Sequence, residues 1–206
     1  LETLAGFDAA RAARLLPVAI TFPVWQVRAT AARVAATLKD EATLVKLAAD
    51  PVPNVVTEAI GVLARLRAAA VAPASIRALA SDDHQLVRAA AQALRGIEHA
   101  AAATAPLVAA LDRLTAAGRD TSRDPRLAIL DRLEEFAKPM ASGGASPVAA
   151  HRDALSRRLE DFNPRVAARA ADVLGVLTGT RPDPTPSTTM LPHRSPTWSS
   201  SRSARS

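Results

Sequence analysis

The chain has no cysteine and no tyrosine, and aromatic residues make up 3% of its 206 positions. Without cysteine, disulfides, zinc ribbons and thiol chemistry are excluded. That absence leaves the compartment open between a bacterial cytoplasm and periplasm. Without aromatic bulk, the core has to be built from Ala, Leu and Val. No run of about 18 apolar residues occurs, so no membrane-spanning helix is expected. No β-branched run bounded by turns appears, which disfavours a parallel sheet. Lysine is nearly missing as well, and arginine supplies almost all of the positive charge. With the alanine excess, that bias suggests a GC-rich genome. The sequence begins at Leu1 and not at a methionine, which fits a removed leader or a fragment.

What is present is alanine, roughly a quarter of the residues, the strongest intrinsic helix former. An all-α fold of closely packed helices follows. The net charge is +6. Half of it lies beyond Gly179, where Arg181, Arg194, Arg202 and Arg205 oppose Asp183 alone. In the body, arginines and acids are interspersed and form no basic stripe. That pattern disfavours nucleic acid as a partner.

The main signal is an internal repeat. Five segments share one layout: an apolar helix, a short turn rich in Asp, Asn and Pro, then a second helix opened by an aliphatic residue. The second helices open at Val27, Val56, Val87, Leu127 and Val166. The turns before them hold Pro23, Asp50-Pro51-Val52-Pro53-Asn54, Ser81-Asp82-Asp83-His84, Asp124-Pro125 and Asn163-Pro164. Asp124 and Asn163 are expected as N-caps, with Pro125 and Pro164 at the first helical position, where a missing N–H costs nothing. Ser146-Pro147 repeats that device, and Asp82 with Gln85 has the spacing of a capping box.

Helical periodicity places Val27, Ala31, Val34 and Leu38 on one stripe. Leu86, Ala90, Ala93, Leu94 and Ile97 form another, and Val166, Ala170, Val173, Leu174 and Leu177 a third. The first helices contribute Leu44, Leu47 and Ala48; Ile76, Leu79 and Ala80; Leu107, Leu111 and Leu114; and Leu155 and Leu159. One helix pair cannot bury both of its faces, but stacked pairs can. The expected architecture is a right-handed α-α superhelix of about five helix pairs over residues 1–179.

Two stretches interrupt the pattern. Gly118 to Arg123 reads as a longer polar turn, and Lys138 to Ala145 as a flexible loop between repeats. After Gly179 the character changes. Residues 180–206 are rich in Pro, Ser, Thr and Arg, carry no apolar stripe and are expected to be disordered. Two readings of that tail stay open: a natural basic linker, or out-of-frame translation of a GC-rich gene. The composition leans to the second.

No motif of chemistry emerges. The histidines His84, His99, His151 and His193 lack an HExxH or other two-ligand spacing, and His84 beside Asp82 and Asp83 reads as a solvated turn. Glu134 and Glu135 are adjacent, so they leave a helix in different directions and make a poor acid/base pair. There is no GxSxG elbow, no GxGxxG and no P-loop. The expectation is no catalytic, metal or cofactor-binding residue and no enzyme activity. Arg28 and Arg88, each following the aliphatic residue that opens its helix, are expected in an Arg–Asp ladder between repeats.

The Asp-Pro turns and the Val-Arg-x-x-Ala openings, clearest in Asp82-Asp83-His84-Gln85-Leu86-Val87-Arg88-Ala89-Ala90-Ala91-Gln92-Ala93-Leu94, resemble HEAT repeats. Trp25-Gln26-Val27-Arg28, the stretch Leu114 to Ala128 and Asp161-Phe162-Asn163-Pro164-Arg165-Val166-Ala167-Ala168-Arg169 are similar to the repeat region of bacterial HEAT/cyclophilin-type peptidyl-prolyl isomerase fusions. That likeness covers about Trp25 to Leu177. It implies a HEAT/armadillo-like solenoid that binds a protein or peptide, here with no isomerase domain and no residue able to take over its catalysis. The expected role is an interaction scaffold. The alternative is the non-catalytic N-terminal part of a truncated isomerase of that kind. A HEAT-like lyase of the phycobilin-attachment type is disfavoured by the scarce aromatics and absent cysteine.

Overall fold

The computed structural model describes residues 2–98, 100–138 and 145–185. The expectations for His99, His193, Pro139 to Gly144 and residues 186–206 lie outside the described residues. Eleven α-helices and no strand occur among the described residues, so the chain is an all-α solenoid. A short α1 (Glu2–Phe7) precedes four regular pairs. These are α2 (Ala9–Ala19) with α3 (Trp25–Leu38), α4 (Glu41–Leu47) with α5 (Pro53–Arg65), α6 (Val71–Ala78) with α7 (His84–Ala93), and α8 (Ala100–Ala116) with α9 (Arg123–Ala137). The fifth pair sets a broken first helix against α11 (Pro164–Thr178). That first helix is α10 (Arg152–Ser156) between 3-10 turns at Ala149–His151 and Arg157–Glu160.

The second helices form the spine. Each packs on the next, α3 on α5, α5 on α7, α7 on α9 and α9 on α11, and each first helix lies against its own second helix. Contacts therefore run between neighbours, as a solenoid requires.

The helix starts explain the spacing of this spine. Counted from the N-cap residues Val24, Val52, Asp83, Ser122 and Asn163, the seventh residues are Ala31, Ala59, Ala90, Ile129 and Ala170, and the eighth are Ala32, Ile60, Ala91, Leu130 and Ala171. All ten are fully buried. The eleventh residues, Ala35, Leu63, Leu94, Leu133 and Leu174, are buried too. Alanine at the seventh position, in all but α9, lets neighbouring second helices approach closely, and leucine at the eleventh, in all but α3, fills the space that widens beyond it.

This frame shifts the sequence alignment. Val27 and Val166 are equivalent as expected, but their counterparts are Val55, Leu86 and Pro125, one or two residues ahead of Val56, Val87 and Leu127. The caps are the reason. The Asp83 carboxylate, not that of Asp82, accepts from the Leu86 N–H at 2.8 Å. Helix α9 begins at Arg123, which puts Asp124 and Pro125 inside its first turn. Asn163 caps α11 with Pro164 at the first position, as the sequence indicates. Asp8 and Asp40 cap α2 and α4 through the N–H groups of Arg11 and Thr43. Near Ser146 the side chain accepts from the Val148 N–H and donates to the Phe136 carbonyl, tying the fifth unit to the end of α9. Ala80, placed on an apolar stripe from sequence, is exposed.

The stretch Gly118 to Arg123 is more ordered than a simple polar turn. It contains a 3-10 turn at Asp120–Ser122, and the buried Ser122 hydroxyl donates to the carbonyls of Leu114 and Arg119. After Gly179, Arg181 folds back onto α11. Its Nε donates to Asp172 at 2.6 Å, and its backbone lies over Gly175, where a Cβ would sit 3.2 Å from the Arg181 Cα.

Candidate interaction surface

Two Arg–Asp pairs recur at the same point of the repeat. Arg28, the fourth residue of α3, donates from Nε and Nη2 to the Asp50 carboxylate at 2.6 and 2.9 Å. Arg126, the fourth residue of α9, donates from Nη1 to both oxygens of Asp161 at 2.7 Å. Each aspartate stands two residues before the N-cap of the next second helix and also accepts a backbone N–H there, from Val52 and Asn163 respectively, at 2.9 Å. Each arginine thus reaches from one second helix to the turn that starts the next. The Arg126 guanidinium also stacks over the Phe162 ring, 4.5 Å from its centroid, an added cation–π attraction.

Burial of Asp50 opposes its ionisation. The hydrogen bonds from Arg28 and the Val52 N–H outweigh that effect and hold its carboxyl below the ordinary value, while the Asp50 hydrogen bond raises the pKa of Arg28. At the two middle interfaces the fourth residues are Val56 and Val87, both buried, and apolar contact replaces the ion pair. Arg88 falls one residue later than Arg28 in the common frame and forms no ion pair among the described residues. Arg126, not Arg88, is the counterpart of Arg28.

Between the third and fourth units, Arg113 of α8 donates to the carbonyls of Leu79 and Ser81 at 2.9 and 2.7 Å, closing the end of α6. Between the fourth and fifth, Arg169 of α11 bridges Asp131 at 2.6 Å and Glu134 on α9. Glu135 goes elsewhere: it pairs with buried Arg132 and accepts from the Gly96 N–H at 2.7 Å. Glu134 and Glu135 therefore answer to different cations, in line with their adjacent spacing, and form no acid/base pair. At the other end, Arg33 of α3 pairs with Glu2 of α1 and, at 3.5 Å, with Glu58 of α5.

The charges on the outward side of the spine therefore divide. Toward both ends, Arg33 and Arg169 are matched with acids, while Arg165 of α11 is in no ion pair among the described residues. In the middle, between the second and third units, a groove of about 920 Å³ opens at the C-terminal ends of α5 and α7. Arg65, Arg67 and Arg95 line it, with Glu98 as its one acid and a floor of alanines, Val71 and Ile97. None of the three arginines forms an ion pair or a side-chain hydrogen bond among the described residues. Arg67 adopts a positive φ of 52°, at the left-handed position just past α5 where glycine is favoured. Gly96, one residue further past the end of α7, also has a positive φ, 67°.

His84 is the first residue of α7 and His151 ends a 3-10 turn. Among the described residues no cluster of three or more His, Cys, Asp or Glu side chains could hold a metal ion. No helix among them is long and apolar enough to cross a membrane. The sequence reading missed the Arg126–Asp161 pair and the groove. The Asp-x-x-Pro spacing shared by Asp50-Pro51-Val52-Pro53 and Asp161-Phe162-Asn163-Pro164 is a signal for the acidic half of the ladder.

With this geometry in place, comparison with known proteins adds one finding. Residues 2–95 match the family model described as HEAT repeats. The match spans just under half of the chain, and the frame of helix pairs it covers continues to Thr178. None of the curated proteins matches the chain.

Proposed function

We propose that the chain is a protein-interaction scaffold made of HEAT repeats, acting by binding and not by catalysis. Stacked helix pairs of this kind present an extended surface built from equivalent positions of successive repeats, and HEAT repeats commonly serve as such scaffolds. The observation that carries this reading is the outward stripe of α7 and the turn that follows it, Gln85, Arg88, Gln92 and Arg95. All four are polar, spaced for one helix face, and outside the ion pairs that occupy the ends of the spine. None of the four forms an ion pair or a side-chain hydrogen bond among the described residues. The similarity to the isomerase fusions rests on the quoted stretches alone; the match at 2–95 speaks to the repeats.

Site-specific photocrosslinking tests the reading. A crosslinker placed at Arg88 or Gln92 in the spine, or at Arg77 or Arg157 in the first helices, is activated in extract of the source organism. Discrete adducts from the spine positions, competed by excess unlabelled chain, are expected. Absence of adducts, or adducts from the first-helix positions only, would sink the proposal.

A further inference from the structure

We infer that the groove between the second and third repeats is a docking site for an acidic peptide segment of a partner protein, held by Arg65, Arg67 and Arg95 over an apolar floor. This deepens the scaffold reading and rests on it. Three arginines line one groove with a single carboxylate, Glu98, among the lining residues, whereas Arg28, Arg33, Arg126 and Arg169 of the spine are each matched with an acid. Burial first, and then repulsion from Arg95, lowers the pKa of Arg132 against the opposing effect of Asp131. Arg67 is kept at a backbone conformation that glycine would hold without strain, which places a cation at the C-terminal end of α5. Carboxylates fit such planar donors two bonds at a time, and the alanine, valine and isoleucine floor takes an apolar side chain between them.

The groove's lining favours a peptide over other polyanions. No aromatic residue lines the groove, so a base has nothing to stack on. Along the spine beyond the groove, a nucleic-acid strand would meet the carboxylates of Asp131, Glu134 and Asp172, which already bind Arg169. The chain's own residues 186–206 carry arginines and no acid, so charge repels them from the site.

The test is a fluorescence-anisotropy titration of the full chain with a labelled short peptide of glutamates flanking a leucine. The same peptide with lysine for glutamate and a single-stranded oligonucleotide serve as comparison ligands. The acidic peptide is expected to bind, to weaken as salt rises, and to lose at least about tenfold in affinity in the R65E/R67E/R95E variant. The R77E variant, altered at an exposed first-helix arginine, should keep it. All four positions are exposed, so far-ultraviolet circular dichroism should be unchanged. Failure of the acidic peptide to bind, equal binding by the triple variant, or tighter binding of the oligonucleotide would overturn the assignment. If the peptide fails while crosslinked adducts still form at Arg88 or Gln92, the groove assignment falls and the scaffold reading stands. If neither appears, both fall.

Discussion

The guanidinium of Arg126 and the carboxylate of Asp161 meet at 2.7 Å with neither side chain exposed to solvent. They belong to α9 and to the turn that starts α11, so the pair crosses the interface between the last two repeats. A buried pair is costly to assemble and more costly to break, because the surviving charge is left without a partner. Asp161→Ala is expected to destabilise the chain by about 3–5 kcal/mol. The double change of Arg126→Met with Asp161→Leu should recover much of that loss, since apolar residues remove both desolvation costs. Urea unfolding followed by circular dichroism measures both. Equal destabilisation by the single and double variants would show that packing at this turn, and not charge burial, holds the repeats together.

The Arg28–Asp50 pair makes the same connection near the other end and adds a pH dependence. Hydrogen bonds from Arg28 and Val52 lower the Asp50 pKa despite its burial. A carboxyl that is more acidic folded than unfolded stabilises above its unfolded pKa of about 4 and loses that contribution as pH falls through the folded value. Asp50→Asn should therefore lower the urea midpoint at neutral pH, and the gap from the parent chain should narrow as the solution is acidified below about pH 4. A gap that stays constant across this range would remove Asp50 from the acid response.

Two helical glycines should respond differently to alanine. At Gly61 in α5 an added Cβ meets only the far end of Arg65, at 3.7 Å. Gly61→Ala should stabilise by up to about 1 kcal/mol, the usual helix-interior difference between the two residues. At Gly175 in α11 the Cβ would press on the Arg181 backbone at 3.2 Å. Gly175→Ala should gain less and loosen the docked segment, seen as faster amide exchange around Arg181. An equal gain at both sites would mean that the Arg181 contact is without consequence.

Much of this architecture is legible in the sequence because a solenoid repeats its own rules. The alanine stripe, the Asn163-Pro164 start and the five-pair count all follow from helical period and turn chemistry. The exact register does not. Asp82 and Asp83 are equally good caps on paper, and only the packing of Leu86 against the core selects Asp83. The aspartates of the ladder share an Asp-x-x-Pro pattern, but their arginines lie a full first helix away. That helix differs in length between repeats, so the separation from Arg28 to Asp50 does not predict that from Arg126 to Asp161. The groove was hidden for another reason: Arg65, Arg67 and Arg95 look like any other arginines until the structure shows which of their neighbours already have partners.

The central claim is that consecutive second helices form one continuous spine, with the first helices laid against it. Amide hydrogen exchange resolved along the free chain tests this most directly. The account predicts the slowest exchange in α5, α7 and α9, which are packed between second helices on both sides, with faster exchange in α2 and in the broken first helix around α10. Slowest exchange in the first helices, or protection that shows no preference for the second-helix layer, would contradict it.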